Sequence, residues 1–281
     1  MARNRLSENT ALAYYSDAVR FVEFVEKKSI TDFRKIDKKI INSFIGKLKR
    51  EKKSPSTIAR NVASIRRFFD FLISAKEVEL NPAVMVKPPK LSKGLPEVLT
   101  AEEISRILEQ PRGLDAKSVR DRAMLELLYA IGSRVSEIIS LNVSDVNIKV
   151  GYIKCRKNDE ERIIPIGKMA LFALEDYLNS ARELIASDEE QALFVNMSGY
   201  RMSRQGFWKL VKYYADSAGI EKQITPHTLR HSFAAHLLEN GADINSVRTM
   251  LGHADISSTL VYEKLVQNKL RNIYKKSHPR A

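Results

Sequence analysis

The chain has 281 residues, of which 44% are hydrophobic and 29% charged, and it carries a formal net charge of +13. That length suits two domains of ordinary size. No apolar run approaches the roughly 18–20 residues of a membrane span, and Met1-Ala2-Arg3-Asn4-Arg5 lacks the apolar stretch of a signal peptide. A single cysteine, Cys155, excludes an internal disulfide and fits a reducing cytoplasm.

The positive charge is uneven. Residues 1–90 hold 20 Lys+Arg against 10 Asp+Glu, and residues 91–281 hold 27 against 24. A basic first third of this kind faces a polyanion or is a solvated surface. Its pattern is helical. After Ser7-Glu8-Asn9-Thr10, the residues Leu12, Tyr15, Val19, Val22 and Val25 recur at three- and four-residue spacing and predict an amphipathic helix. A second helix is expected over about Asp37 to Lys53, with Ile40, Ile41, Phe44, Ile45 and Leu48 inward. Ser54-Pro55-Ser56-Thr57 opens a third, with Ile58, Val62, Ile65, Phe69 and Leu72 as its apolar stripe. The other faces of that helix carry Arg60, Arg66 and Arg67, which are candidates for contact with such a polyanion or are ordinary solvated residues. The aromatics Phe21, Phe24, Phe44, Phe68, Phe69 and Phe71 are expected in the core rather than stacked on bases.

Three prolines and a glycine in Lys87-Pro88-Pro89-Lys90-Leu91-Ser92-Lys93-Gly94-Leu95-Pro96 mark a linker, where Lys87 and Lys90 could lie along a phosphate backbone. The boundaries read as residues 1–88, a linker at 89–97, and residues 98–281. Thr100, followed by Glu102 and Glu103, caps a helix, and helical pattern returns from about Val119 to Ala130. Strands are expected at Val146–Ile148, Tyr152–Cys155 and Arg162–Ile166, with a turn at Lys157-Asn158-Asp159-Glu160. The remainder reads as mostly helical.

The chemistry concentrates in a few positions. Thr225-Pro226-His227-Thr228-Leu229-Arg230-His231 places His227 and Arg230 on one helix face. Leu251-Gly252-His253 and Val261-Tyr262 follow. Arginine binds two phosphate oxygens with its planar fork. Tyrosine can attack phosphorus and store the bond as a phosphodiester, and lysine can protonate a leaving oxygen. His227 and His231 have the spacing of a metal pair, but no carboxylate or cysteine completes such a motif, so neither metal nor cofactor is expected. His231 and His236 read as structural, and Cys155 as buried and inert.

Arg134 in Gly132-Ser133-Arg134-Val135-Ser136-Glu137, Lys157 in the hairpin, His227 and Arg230, Gly252-His253 and Tyr262 occur in the order and approximate spacing of the tyrosine recombinases, the phage integrase family. The resemblance spans the chain. It includes Ser7-Glu8-Asn9-Thr10 with Tyr14, and Met202-Ser203-Arg204-Gln205-Gly206-Phe207-Trp208. The compact size and the ending His278-Pro279-Arg280-Ala281 resemble the Xer branch. The resemblance implies a mainly α protein, with a helical, SAM-like core-binding domain and an α+β catalytic domain bearing a small β-sheet. Tyr262 would be the nucleophile, forming a 3′-phosphotyrosyl link. Arg134 and Arg230 would clamp the scissile phosphate, Lys157 would protonate the leaving 5′-hydroxyl, His227 would move the proton at the nucleophile, and His253 would hydrogen-bond the phosphate. Glu137 would support Arg134. This chain departs from the family at Ile131-Gly132-Ser133, where Thr-Gly-Leu is usual, and at Arg156-Lys157-Asn158, where Gly-Lys-Gly is usual. Lys154 and Arg156 are therefore rivals for the role of Lys157.

The partners so implied are duplex DNA with a specific recombination site and a tetramer on two such sites, with a second Xer recombinase and a DNA translocase activator left open. Leu265, Lys269, Leu270 and Ile273 suggest a C-terminal helix at about 265–275 that docks on a neighbouring protomer. The expected setting is a cytoplasmic, nucleoid-associated enzyme resolving chromosome dimers. An integrase of a phage or mobile element shares the chemistry, and the lack of an extra N-terminal domain favours the Xer reading. A DNA-binding protein that has lost catalysis is the alternative of a different class.

Overall fold

The computed structural model describes residues 8–89, 97–157 and 160–252. The chain divides into two compact units, Met1–Gly94 and Leu95–Ala281.

Among the described residues the first unit has three α-helices, α1 (Glu8–Glu26), α2 (Lys38–Arg50) and α3 (Pro55–Ser74), with a 3-10 turn at Phe33–Lys35. The starts of α2 and α3 are written locally. Asp37 accepts the Ile40 N–H at 2.8 Å, and Ser54 accepts that of Thr57 at 3.2 Å with Pro55 at the first helical position. Ile41, Phe44, Ile45 and Leu48 of α2 meet Ile58, Val62, Ile65, Phe69 and Leu72 of α3 in the core. Phe21 joins them edge-on, its ring centroid 5.3 Å from Phe44 and 6.4 Å from Phe69.

Two expectations fail in this unit. The face of α1 that enters the core carries Asp17, Phe21, Phe24 and Val25, whereas Leu12, Tyr15 and Val19 are 60%, 71% and 38% exposed. Phe21 and Phe24 pack on Phe44, and Phe21 also on Phe69, and this aromatic cluster turns their face of the helix inward. Phe71 is also outside the core, at 64% exposed, because it follows Phe69 onto the opposite side of α3.

Two of the α3 arginines are engaged within the unit. Arg60 binds the buried Asp17 carboxylate with two nitrogens, at 2.9 and 3.0 Å, and Ser64 adds a hydroxyl at 3.0 Å. Arg66 donates to the carbonyls of Ala83 at 3.1 Å and Val86 at 2.6 Å, tying the segment after α3 back onto the helix. Arg67 is exposed. Arg60→Ala would strand a buried carboxylate. Because Arg60 itself is half-exposed, the expected loss is about 2 kcal/mol, below the ~3–5 for a fully buried pair. Denaturant unfolding of the variant against native protein measures it, and an Asp17→Asn change in the same background should recover part.

The second unit is built on α5 (Ala116–Ile131), buried nearly all round through Val119, Ala123, Met124, Leu125, Leu127, Leu128 and Ile131. Before it comes α4 (Ala101–Leu108), started by a reciprocal Thr100–Glu103 capping box. After it come α6 (Val135–Ser140) and an antiparallel sheet in the order β1 (Val146–Asn147), β2 (Tyr152–Lys157), β3 (Glu160–Pro165). Ile153 pairs with Ile164, and Cys155 with Arg162. A long helical run then joins α7 (Lys168–Asp176) through a wider π turn at Tyr177–Ala181 to α8 (Arg182–Ile185). The unit continues with α9 (Arg204–Ser217), α10 (Pro226–Glu239) and α11 (Ile244–Leu251).

The expected fold class, mainly helical with a small sheet, is what the structure has. Residues 186–203 depart from the expected helix. They are irregular chain fastened by guanidinium forks: Arg182 donates to the Ala192 carbonyl at 2.8 and 3.1 Å, and Arg201 to those of Ile139 and Leu141 at 2.9 and 3.0 Å. Carbonyls satisfied by side chains leave no helical periodicity in the sequence.

Candidate phosphate-binding site

The site begins where α5 stops. Gly132 closes that helix in the left-handed region, with φ at +56°, and the chain turns through Ser133 into Arg134, the residue that caps α6. The Arg134 N–H donates to Glu137 Oε2 at 3.0 Å, and its Nη1 donates to Oε1 at 3.2 Å. The Arg134 side chain stays one-third exposed while Glu137 is buried behind it.

Helix α10 supplies the facing groups. Thr225 and Thr228 form its capping box and Pro226 fills the first position, so His227 and Arg230 lie within its first turn and a half. Arg230 is only 3% exposed; its Nη1 donates to the Gly132 carbonyl at 2.8 Å and its Nη2 to the Leu251 carbonyl at 2.7 Å. One guanidinium thus joins the ends of α5 and α11. Arg134, His227 and Arg230 line a single open cavity of about 500 Å³ together with Arg204, Gln205 and Trp208 of α9. Among the described residues no carboxylate lines it, and three guanidinium groups do.

For two of the three histidines of α10 the surroundings disfavour the charged form. Partial burial, then the charges of Arg230, Arg204 and Arg134, hold His227 below its ordinary value of 6.5. Burial, followed by His227 and Arg230, takes His231 down to about 4. Glu137 is the reverse case. Burial opposes its charge, but the hydrogen bond and charge of Arg162 and the bonds from Arg134 prevail, so its carboxyl lies below the usual range. His236 lies away from the cavity: its Nε2 meets the Leu99 carbonyl at 2.9 Å and its Nδ1 the Tyr129 hydroxyl at 2.8 Å. A carbonyl can only accept, so Nε2 carries a proton.

Of the expected site residues, the structure brings together Arg134, Glu137, His227 and Arg230. Lys157 is the last residue of β2, paired with Glu160. Its rival Arg156 is occupied, with Asp145 at 3.4 Å and Glu161 at 3.2 Å. Gly252 ends α11 with φ at +60°. His253, Tyr262, the helix expected at about 265–275 and Lys90 lie outside the described residues; Lys87 is exposed. Three participants went unassigned in the sequence. Arg204 and Trp208 stand on α9 in the quoted Met202–Trp208 segment, whose helical spacing places them on one face. Arg162, on β3, has no signal of its own beyond its pairing opposite Cys155. The unusual Ser133 has a function here: its hydroxyl accepts from Arg162 at 3.2 Å and lies 3.8 Å from the Cys155 sulfur.

Residues 97–269 match the phage integrase family, and residues 1–76 match the phage integrase N-terminal SAM-like domain. The chain belongs to the phage integrase family. Its curated relatives include Tyrosine recombinase XerD of Halalkalibacterium halodurans, 45% identical over 98% of this chain and 93% of that one. Tyrosine recombinase XerD of Oceanobacillus iheyensis is 46% identical over 98% and 94%. Among solved structures, XerA recombinase is similar with a TM-score of 0.57 at 27% identity, covering 99% of this chain and 94% of that one. XerH bound to a palindromic difH substrate shares the fold, with a TM-score of 0.76 at 21% identity over 92% and 77%. The family and the fold expected from the motif order are both borne out.

Proposed function

We propose that the protein is a site-specific tyrosine recombinase that cuts and rejoins duplex DNA, of the Xer type that resolves chromosome dimers. The observation that carries this reading is the convergence of Arg134, Arg230 and Arg204 with a neutral His227 on one cavity that no carboxylate lines among the described residues. Such a cavity stabilises the charge that builds on the non-bridging oxygens of a phosphodiester under attack. Tyr262 is the nucleophile and carries the 3′-phosphotyrosyl link, which conserves the bond energy for rejoining. Arg134 and Arg230 hold the phosphate, Lys157 protonates the leaving 5′ oxygen, and His253 adds a hydrogen bond. The engagement of Arg156 with Asp145 and Glu161 supports Lys157 over its neighbour.

Residues 1–88 form the basic DNA core-binding domain, residues 89–97 the linker and residues 98–281 the catalytic domain. Arg67 and Lys87, both exposed, contact phosphate together with Lys90, whereas Arg60 and Arg66 act first in holding their own unit. The working assembly is a tetramer on two DNA sites, coupled by the C-terminal helix expected from the sequence at about 265–275, in the cytoplasm on the nucleoid. Near full-length similarity to XerD relatives favours the Xer role over a mobile-element integrase.

The test is a duplex nicked beside the cleavage point. Native protein should form a covalent adduct with it, and Tyr262→Phe should form none. No adduct from native protein on any cognate site would overturn the enzyme reading in favour of a silent DNA-binding protein. The rate should also depend on pH. His227 accepts a proton only when neutral, so adduct formation is retained at neutral pH and falls as acidification passes through its lowered pKa, below 6.5. A rate profile over about pH 5–8 should show that limb in native protein and lose it in His227→Gln.

A further inference from the structure

We propose that Arg162 is a positioning residue that keeps Arg134 aimed into the cavity and joins three elements of the site. The inference rests on the reading of Arg134 as a phosphate ligand.

Arg162 enters from β3, where it pairs across from Cys155, and its side chain is only 16% exposed. Its Nη2 donates to Glu137 Oε2 at 2.7 Å and to the Ser133 hydroxyl at 3.2 Å, and its Nη1 lies 3.5 Å from Oε1. Glu137 therefore serves two guanidinium groups unequally. The short bond goes to Arg162, and Arg134 holds the carboxylate through one 3.2 Å contact, its only side-chain hydrogen bond among the described residues.

That inequality matters chemically. A buried carboxylate demands a full counter-charge. With Arg162 supplying it, the Arg134 fork keeps donors for a phosphate. Without Arg162, the same carboxylate would draw Arg134 into a bidentate pair and away from the cavity.

Arg162 also reaches α11. A Cβ on Gly252 would stand 2.6 Å from Arg162 Nη1 and 2.9 Å from its Cζ, so the guanidinium occupies space that only a glycine leaves. Gly252 follows Leu251, whose carbonyl anchors Arg230. One side chain on the sheet thus abuts both arginine-bearing corners. Its Nε is buried with no hydrogen-bond partner among the described residues. The group is held by its far end, where Glu137 and Ser133 are, at a cost in its own satisfaction.

The test uses the full chain and the nicked duplex. Arg162→Met should slow adduct formation by about 10–100-fold, the effect of misplacing a reacting group, with DNA affinity within about twofold of native. The rate of Arg162→Met should also fall less on acidification than the native rate. Glu137 loses its main counter-charge in this variant, takes up a proton more readily, and once neutral no longer draws Arg134 away from the cavity. Arg162→Met combined with Glu137→Gln should be faster than Arg162→Met alone, because no unpaired carboxylate remains to capture Arg134. If Arg162→Met does not fold, Arg162→Lys replaces it: charge without the fork should leave a several-fold loss. A rate within about twofold of native for the folded variant, or a double variant no faster than Arg162→Met, overturns the assignment of Arg162 alone. Absence of adduct from native protein overturns the recombinase reading together with it.

Discussion

Arg230→Lys should lower the rate of covalent adduct formation by about 10²–10³-fold while leaving DNA affinity nearly unchanged. The size of the effect follows from what the guanidinium does. It is buried to 3% exposure and spans two carbonyls, Gly132 at 2.8 Å and Leu251 at 2.7 Å, with one nitrogen each. That fork fixes its plane beside the cavity before any substrate arrives. A lysine ammonium is a point donor on a flexible stem and cannot meet both carbonyls at once. The variant would therefore keep the positive charge but lose the fixed direction, and fixed direction is what stabilises charge appearing only in the transition state. Affinity is carried by many phosphate contacts, so one misaimed side chain changes it little. Single-turnover adduct formation beside a gel-shift titration separates the two, and an unchanged cleavage rate would remove Arg230 from the phosphate clamp.

Gly132→Ala should destabilise the second unit by about 3 kcal/mol, lowering Tm by about 6–12 °C at ~2–4 °C per kcal/mol. Two penalties combine. The residue sits at φ +56°, where a Cβ costs about 1–2 kcal/mol. That Cβ would also lie 2.1 Å from Cδ1 of Phe233. Phe233 is buried at 6% exposure against Ala234, Val247 and Leu251, so relief requires repacking, at about 1–3 kcal/mol. The Gly132 carbonyl is also one of the two anchors of Arg230, so residual activity should fall more than residual folding does. Thermal unfolding with adduct assays below Tm measures both, and a Tm within about 2 °C of native would show that Phe233 yields.

Helix α3 shows what periodicity conveys well. Ile58, Val62, Ile65, Phe69 and Leu72 recur at helical spacing behind a Ser-Pro start, and all are buried. Local rules sufficed there, because one face was clearly more apolar than any other. Helix α1 had two competing faces, and only the company of Phe44 and Phe69 selected Phe21 and Phe24 over Leu12 and Val19. Arginine was the least legible residue type. Arg60 and Arg66 look on the sequence like Arg67, but one neutralises a buried aspartate and the other binds a turn of main chain. Charge count cannot tell a phosphate ligand from a guanidinium already committed to a carboxylate or to carbonyls.

The sequence by itself determined the family, the helical architecture with its small sheet, and the positions at which phosphate chemistry was to be sought. It could do so because the order and type of residues such as Arg134, His227 and Arg230 are properties of the chain. Tertiary structure alone decided how those groups are held. Arg134 is steadied by a carboxylate that it shares with Arg162, twenty-five residues beyond that carboxylate on another element. Arg230 is aimed by the ends of two helices, 98 and 21 residues away. Direction and counter-charge are set by contacts between segments distant in the chain, and no local spacing encodes them.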